Sequence, residues 1–114
     1  MDNFTFPGEE RLSTRADIKA VFKNGLKISC RGANLFLSPN GLDYNRFLCT
    51  FRRGFGTAVE RNRARRISKE AYRLIKHRLK TGMDFILLVF SPCDTYSERT
   101  KQLNFLFSKA EMYR

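Results

Sequence analysis

Tryptophan is absent, histidine occurs only as His77, and cysteine only as Cys30, Cys49 and Cys93. With one histidine and no Cys-x-x-Cys pair, the ligand spacing of a structural zinc site is missing. Three scattered cysteines suit free thiols in a reducing compartment better than a disulfide framework. A Cys–His nucleophilic pair would have to use His77, which stands between Lys76 and Arg78 in a run suited to a solvated helix face. Gly54-Phe55-Gly56 is too short for a phosphate-cradling loop, and no Gly-Lys-Ser/Thr follows it. No catalytic side-chain set and no metal-ligand set is therefore expected. The longest apolar run is Phe85 to Phe90, far short of the roughly 20 residues of a membrane span. Met1 to Pro7 has neither the charged leader nor the apolar segment of a signal peptide. A soluble, cytoplasmic protein without a membrane partner is expected.

Acidic residues are also scarce, 11 against 22 Lys and Arg in 114 residues, for a net charge of +11. That length predicts one domain spanning residues 1–114. Twelve of the cations fall between Arg46 and Lys80, where the only acids are Glu60 and Glu70, a local excess of ten. The remaining 79 residues are nearly neutral, with 10 basic and 9 acidic side chains. Like charges so crowded repel along a helix. They are what a polyanion site needs, because neutralising several phosphates releases their condensed counterions.

Periodicity and turn residues divide the chain. Ile18, Val21 and Phe22 share one face of a helix predicted over Arg15 to Lys23, with Thr14 as its cap and Gly25 closing it. Lys27 to Cys30 is a weak strand candidate and Ala33 to Ser38 a better one. Pro39-Asn40-Gly41 then offers a turn across which Phe47 to Phe51 pairs back antiparallel. Thr57-Ala58-Val59-Glu60 reads as a capping box, and no Pro or Gly interrupts Ala58 to Thr81. On that helix, with ~100° per residue, Ala64, Ile67, Ala71, Leu74 and Ile75 form an apolar arc. Arg61, Asn62, Arg65, Arg66, Lys69, Arg73 and Lys76 fall on the other side, with Arg63 at the border and Tyr72 inside the basic arc. Phe85 to Phe90 reads as a strand covered on both faces and parallel to the strand before the long helix. Thr95 to Glu98 is a second capping box, opening a helix with Leu103, Leu106, Phe107 and Ala110 on one stripe. The fold class is α+β, a small α-β sandwich in the order helix, two or three strands, long helix, strand, helix.

The stretch Phe55-Gly56-Thr57-Ala58-Val59-Glu60-Arg61-Asn62-Arg63-Ala64-Arg65-Arg66-Ile67 resembles the signature of the bacterial ribonuclease P protein subunit. That signature runs roughly G-x-A-V-x-R-N-R-x-[KR]-R. The similarity covers most of the chain, with Arg11-Leu12 before the first helix, Val21-Phe22-Lys23-x-Gly25 at its end, and Gly82-Met83-Asp84-Phe85 entering the last strand. The resemblance implies a two-layer α-β sandwich of order α-β-β-β-α-β-α, of a kind also found in a ribosomal protein domain. Its long helix makes a left-handed β-α-β crossover, against the usual right-handed preference. It further implies removal of the 5′ leader from precursor tRNA by a catalytic RNA with Mg²⁺, the ion being held mainly by the RNA. The protein, one per RNA, would bind that RNA and the leader and raise affinity for substrate and Mg²⁺.

Carried onto this sequence, Arg61, Asn62, Arg63, Arg65, Arg66, Lys69 and Arg73 would contact the RNA subunit. Guanidinium forks grip phosphates, and an amide can donate and accept toward bases or 2′-hydroxyls. The leader would lie in a cleft between the long helix and the sheet, at Ile18, Phe22, Phe36, Arg52 and Arg53. Exposed rings there would stack bases while cations track the backbone. Core packing is the competing role for Phe22, and Phe36 faces the cleft if Leu35 and Leu37 are buried. The chain departs from the family at Ile18, where an aromatic is common, at Gly54, usually Lys, and at the acidic Glu9-Glu10. Residues 1–10 are expected to be flexible. A structural RNA-binding protein of ribosomal type is the alternative function. A general DNA-compacting protein fits less well, since the charge is confined to one helix face and its approaches.

Overall fold

The elements begin and end where the apolar runs break. The computed structural model describes residues 8–90 and 95–114. A 3₁₀ turn (Gly8–Glu10) precedes α1 (Arg15–Asn24), β1 (Leu26–Cys30), β2 (Ala33–Pro39), β3 (Arg46–Phe51) and α2 (Ala58–Ile75). A second 3₁₀ turn (Lys76–Arg78), β4 (Met83–Val89) and α3 (Tyr96–Lys109) complete the chain. The observed order is the expected α-β-β-β-α-β-α.

The four strands form one sheet in the order β1-β2-β4-β3. β4 is parallel to β3, as expected, but β3 does not pair back on β2: β4 lies between them, antiparallel to β2. The cause is the apolar content of β4. Phe85, Ile86, Leu87 and Val89 are each fully buried, and a strand apolar on both faces needs neighbours on both sides as well as cover above and below. β3 carries Arg46 and Thr50 and takes the edge. β3 and β4 are joined through α2, the β-α-β crossover of the expected fold.

The main core lies between the sheet and the α2–α3 pair. Leu35, Leu37, Phe47, Phe85 and Leu87 face Tyr72, Ile75, Leu103, Leu106 and Phe107 there. A smaller cluster on the opposite face packs Leu12 and Val21 on Ile86, with Ile18, Phe36 and Leu48 around them. α1 covers part of that face. Thr14 precedes α1, but its hydroxyl donates to the Asp17 carboxylate instead of capping a backbone N–H.

α2 departs from expectation in two ways. It ends at Ile75 and tightens into the 3₁₀ turn, which delivers the fully buried Leu79 to the core. Its inward stripe is Ala64, Ser68, Ala71, Tyr72 and Ile75, rotated by roughly 50° from the apolar arc. Tyr72 is the reason. It stacks on Phe47 at 4.1 Å, meets Phe85 edge to face and lies against the tilted Phe107 ring, and aromatic burial outweighs what Ile67 and Leu74 gain by turning inward. Tyr72 is therefore core, not part of the basic face, and burial pushes its hydroxyl pKa up.

The N-terminal segment expected to be flexible lies outside the described residues over 1–7. Residues 8–10 are ordered by the 3₁₀ turn, and Glu10 accepts from Lys76 Nζ at 2.7 Å. The expected strand end at Ser91-Pro92, and Cys93, also lie outside the described residues. Cys30 is half-buried and Cys49 buried.

Candidate nucleic-acid interface

α2 begins with both halves of the expected capping box. Thr57 Oγ1 accepts from the Glu60 backbone N–H at 3.2 Å, and Glu60 Oε1 accepts from the Thr57 N–H at 2.9 Å. These bonds hold the Glu60 carboxyl below its ordinary pKa, so the acid before Arg61 belongs to the cap. Arg61, Asn62, Arg63, Arg65, Arg66 and Lys69 are all exposed on this helix. Asn62 Oδ1 accepts from Arg65 at 3.1 Å. Arg73 is different: it is half-buried, and its guanidinium is clamped by Glu70 at 2.6 and 3.1 Å. Much of its charge is thus spent within the helix.

The rotation of α2 that buries Tyr72 also lowers Arg65 and Lys69 toward the sheet edge. Arg65 lies 5.0 Å above the Phe51 ring. Arg65 and Lys69 then share a cavity of about 390 Å³ with Arg11, Leu12, Ile18 and Leu48. Its wall is apolar and its mouth cationic, a combination suited to a nucleobase with its phosphate.

Phe22 and Phe36 meet edge to face at 4.8 Å, with Phe22 39% exposed and Phe36 half-buried. Leu35 and Leu37 are buried, so Phe36 points to the opposite face, toward α1. This corrects one expectation: the cleft that holds Ile18, Phe22 and Phe36 lies between α1 and the sheet, because α2 packs on the other face. Strand register extends its floor. Ser29, Asn34, Leu88 and Thr50 align on the row next to Lys27, Phe36, Ile86 and Leu48, on the same face. Arg52 and Arg53 are exposed just past β3, with Arg52 4.3 Å above the Phe90 ring.

α1 is held on the sheet by a polar clamp. Arg46 donates to both Asp84 oxygens at 2.7 Å and to Asp17 at 3.1 Å, and Asn40 adds a bond to Asp84 at 3.0 Å. The Asp84 bonds, more than Asp17, raise the Arg46 pKa further. The clamp fixes the distance between the α1 wall and the floor.

Sequence reasoning missed Arg11 and Lys27. Arg11 bridges to Phe47 along the β3 edge and so reaches the cavity. Lys27 is exposed beside Phe36 on the cleft face. Only the strand pairing reveals either. Gly54, where the resembling family has Lys, adopts φ +86°, a left-handed conformation that glycine accepts and a lysine would strain.

The model of the family described as Ribonuclease P matches residues 6–111. The chain is 34% identical over 105 residues to the ribonuclease P protein component of Petrotoga mobilis, covering 92% of this chain and 86% of that one. The chain belongs to the ribonuclease P protein component family. The corresponding Borrelia duttonii protein is 40% identical over 80 residues, 69% of this chain and 70% of that one. Among solved structures, the Thermotoga maritima RNase P protein aligns with a TM-score of 0.74 at 30% identity, over 85% of this chain and 94% of that one. The Staphylococcus aureus protein gives 0.82 at 21% identity, over 92% and 98%, a likeness of fold.

Proposed function

We propose that this chain is the RNA-binding subunit of a ribonuclease P ribozyme, acting in the cytoplasm as one protein per RNA. The catalytic RNA removes the 5′ leader of precursor tRNA with Mg²⁺. The protein holds both RNAs and so raises affinity for substrate and for Mg²⁺. Arg61, Asn62, Arg63, Arg65, Arg66 and Lys69 grip the RNA subunit, and Arg73 contributes less because Glu70 occupies it. Ile18, Phe22, Phe36, Arg52 and Arg53 receive the leader, joined by Arg11 and Lys27. In this reading the Mg²⁺ is held mainly by the RNA.

The observation that carries the reading is the shared cavity. Ile18 from the cleft and Arg65 and Lys69 from the strip line one space, so a strand leaving the cleft runs directly onto the surface that holds the RNA subunit. A ribosomal-type RNA-binding protein would need the strip but not the cleft. Affinity for precursor and mature tRNA, measured with the RNA subunit present, separates the two. The precursor binds more tightly if the cleft holds the leader, and Phe22→Ala narrows that gap by at least about fivefold, the cost of one lost stacking contact. Equal affinities would favour the ribosomal-type reading.

A further inference from the structure

A second cationic site lies at the other end of α2. The backbone of Leu79 bridges to Tyr113, Lys80 N–H donates to Met112 O at 2.7 Å, and Arg114 N–H donates to Arg78 O at 2.9 Å. This pairing brings Arg114 beside Arg78 and Lys80, residues more than thirty positions away in sequence. Among the described residues none of the three enters an ion pair with a carboxylate. Arg114 Nε donates to Leu79 O at 3.0 Å, which fixes the guanidinium and leaves its two terminal nitrogens to bind outward. Beside it opens a cavity of about 450 Å³, lined by Tyr44, Lys76, His77, Thr81 and Arg114 together with Glu10.

Helix polarity does not account for this cluster. Cations in the last turn of a helix offset its negative end, which covers Lys76 to Arg78, and Lys76 is in any case paired with Glu10 at 2.7 Å. Lys80 lies beyond the helix, and Arg114 comes from a separate segment. Arg78 also lies 5.0 Å above the Tyr113 ring, but Lys80 and Arg114 have no such compensation, and gathering the three charges adds self-repulsion that an anion would relieve.

We infer that this cavity binds one unpaired RNA nucleotide, its phosphate held by Arg114 at the cavity wall and attracted by Arg78 and Lys80, which lie outside the lining, and its base against Tyr44 and His77. The volume lies within the range of small-ligand pockets, and flat rings beside cations are the usual means of holding an unstacked base. The site rests on the RNA-binding reading above and is separate from the strip, because Arg61 and Lys76 stand about 22 Å apart along the helix at 1.5 Å per residue. The protein would thus touch RNA at both ends of α2.

The test is a salt titration of binding to a bacterial ribonuclease P RNA, comparing wild type, Arg78→Gln/Lys80→Gln, and Arg65→Gln/Arg66→Gln. The strip variant should lower the slope of log affinity against log salt by about two phosphates' worth and Arg78→Gln/Lys80→Gln by up to about one, additively when combined. Tyr44→Ala should weaken binding at least about fivefold with an unchanged slope. A wild-type slope and affinity for Arg78→Gln/Lys80→Gln, both here and in precursor tRNA binding to the assembled complex, beside a reduced slope for the strip variant, overturns this site and leaves the function standing. Unchanged binding in all variants overturns both. A parallel arm measures precursor tRNA binding to the assembled complex. A loss confined to that arm identifies the nucleotide as the precursor's, and a loss in the first arm as the RNA subunit's.

Discussion

Gly25 sits where α1 hands the chain to β1, and its conformation is extended, with φ −77°. A terminal glycine is expected to turn left-handed, but this one is needed for space. A Cβ built there would lie 2.4 Å from Val21 O and 2.9 Å from Leu37 O. Neither backbone oxygen can give way without moving α1 off the sheet. Gly25→Ala should cost at least about 2 kcal/mol, read as a lower denaturation midpoint with an unchanged m-value. Asp17 supports the same junction. Its hydrogen bond from Thr14 and the nearby Arg46 hold its carboxyl below the usual 3.8. A depressed carboxyl stabilises the fold above the unfolded-state value, and that contribution is lost as pH falls through the folded one. Asp17→Asn should therefore flatten the acid limb of a stability–pH profile below about pH 4, whereas an identical limb would remove Asp17 from the clamp. At this scale the sequence was most misleading about Tyr72. A hydroxyl on a helix face full of arginines suggests exposure, and only the Phe47, Phe85 and Phe107 rings across the interface show otherwise.

Among the elements, α2 was the most legible, because capping residues and charge periodicity are local. Its start at Ala58 followed from Thr57 and Glu60. Its end at Ile75 did not, since burial of Leu79, a tertiary demand, ends it there. β4 was recognisable as a doubly covered strand from its apolar run, yet its position between β2 and β3 is set by long-range pairing that no local pattern specifies. Thr57→Ala removes the cap and should cost about 1 kcal/mol. Because Arg61 to Arg63 occupy the first turns, the same change should weaken RNA-subunit binding. Thr95, whose Oγ1 accepts from the Glu98 N–H at 3.1 Å, caps α3. Thr95→Ala should cost similar stability and leave RNA binding unchanged. Equal affinity losses in the two variants would mean that global stability, not the shape of the α2 start, governs the interface.

For the whole molecule, the order of elements and the cationic strip were readable from the chain, while the cleft's location was not. A helix rotated by roughly 50° and a wall supplied by α1 are outcomes of packing, and together they make strip and cleft one surface. The same packing places Arg11, Lys27 and the cluster around Arg114 where neither composition nor periodicity points. The direct test of the account is cleavage of precursor tRNA by a bacterial ribonuclease P RNA at low Mg²⁺, with and without this protein. The account predicts that the protein restores cleavage at the mature 5′ end. Unchanged cleavage on adding it would contradict the account.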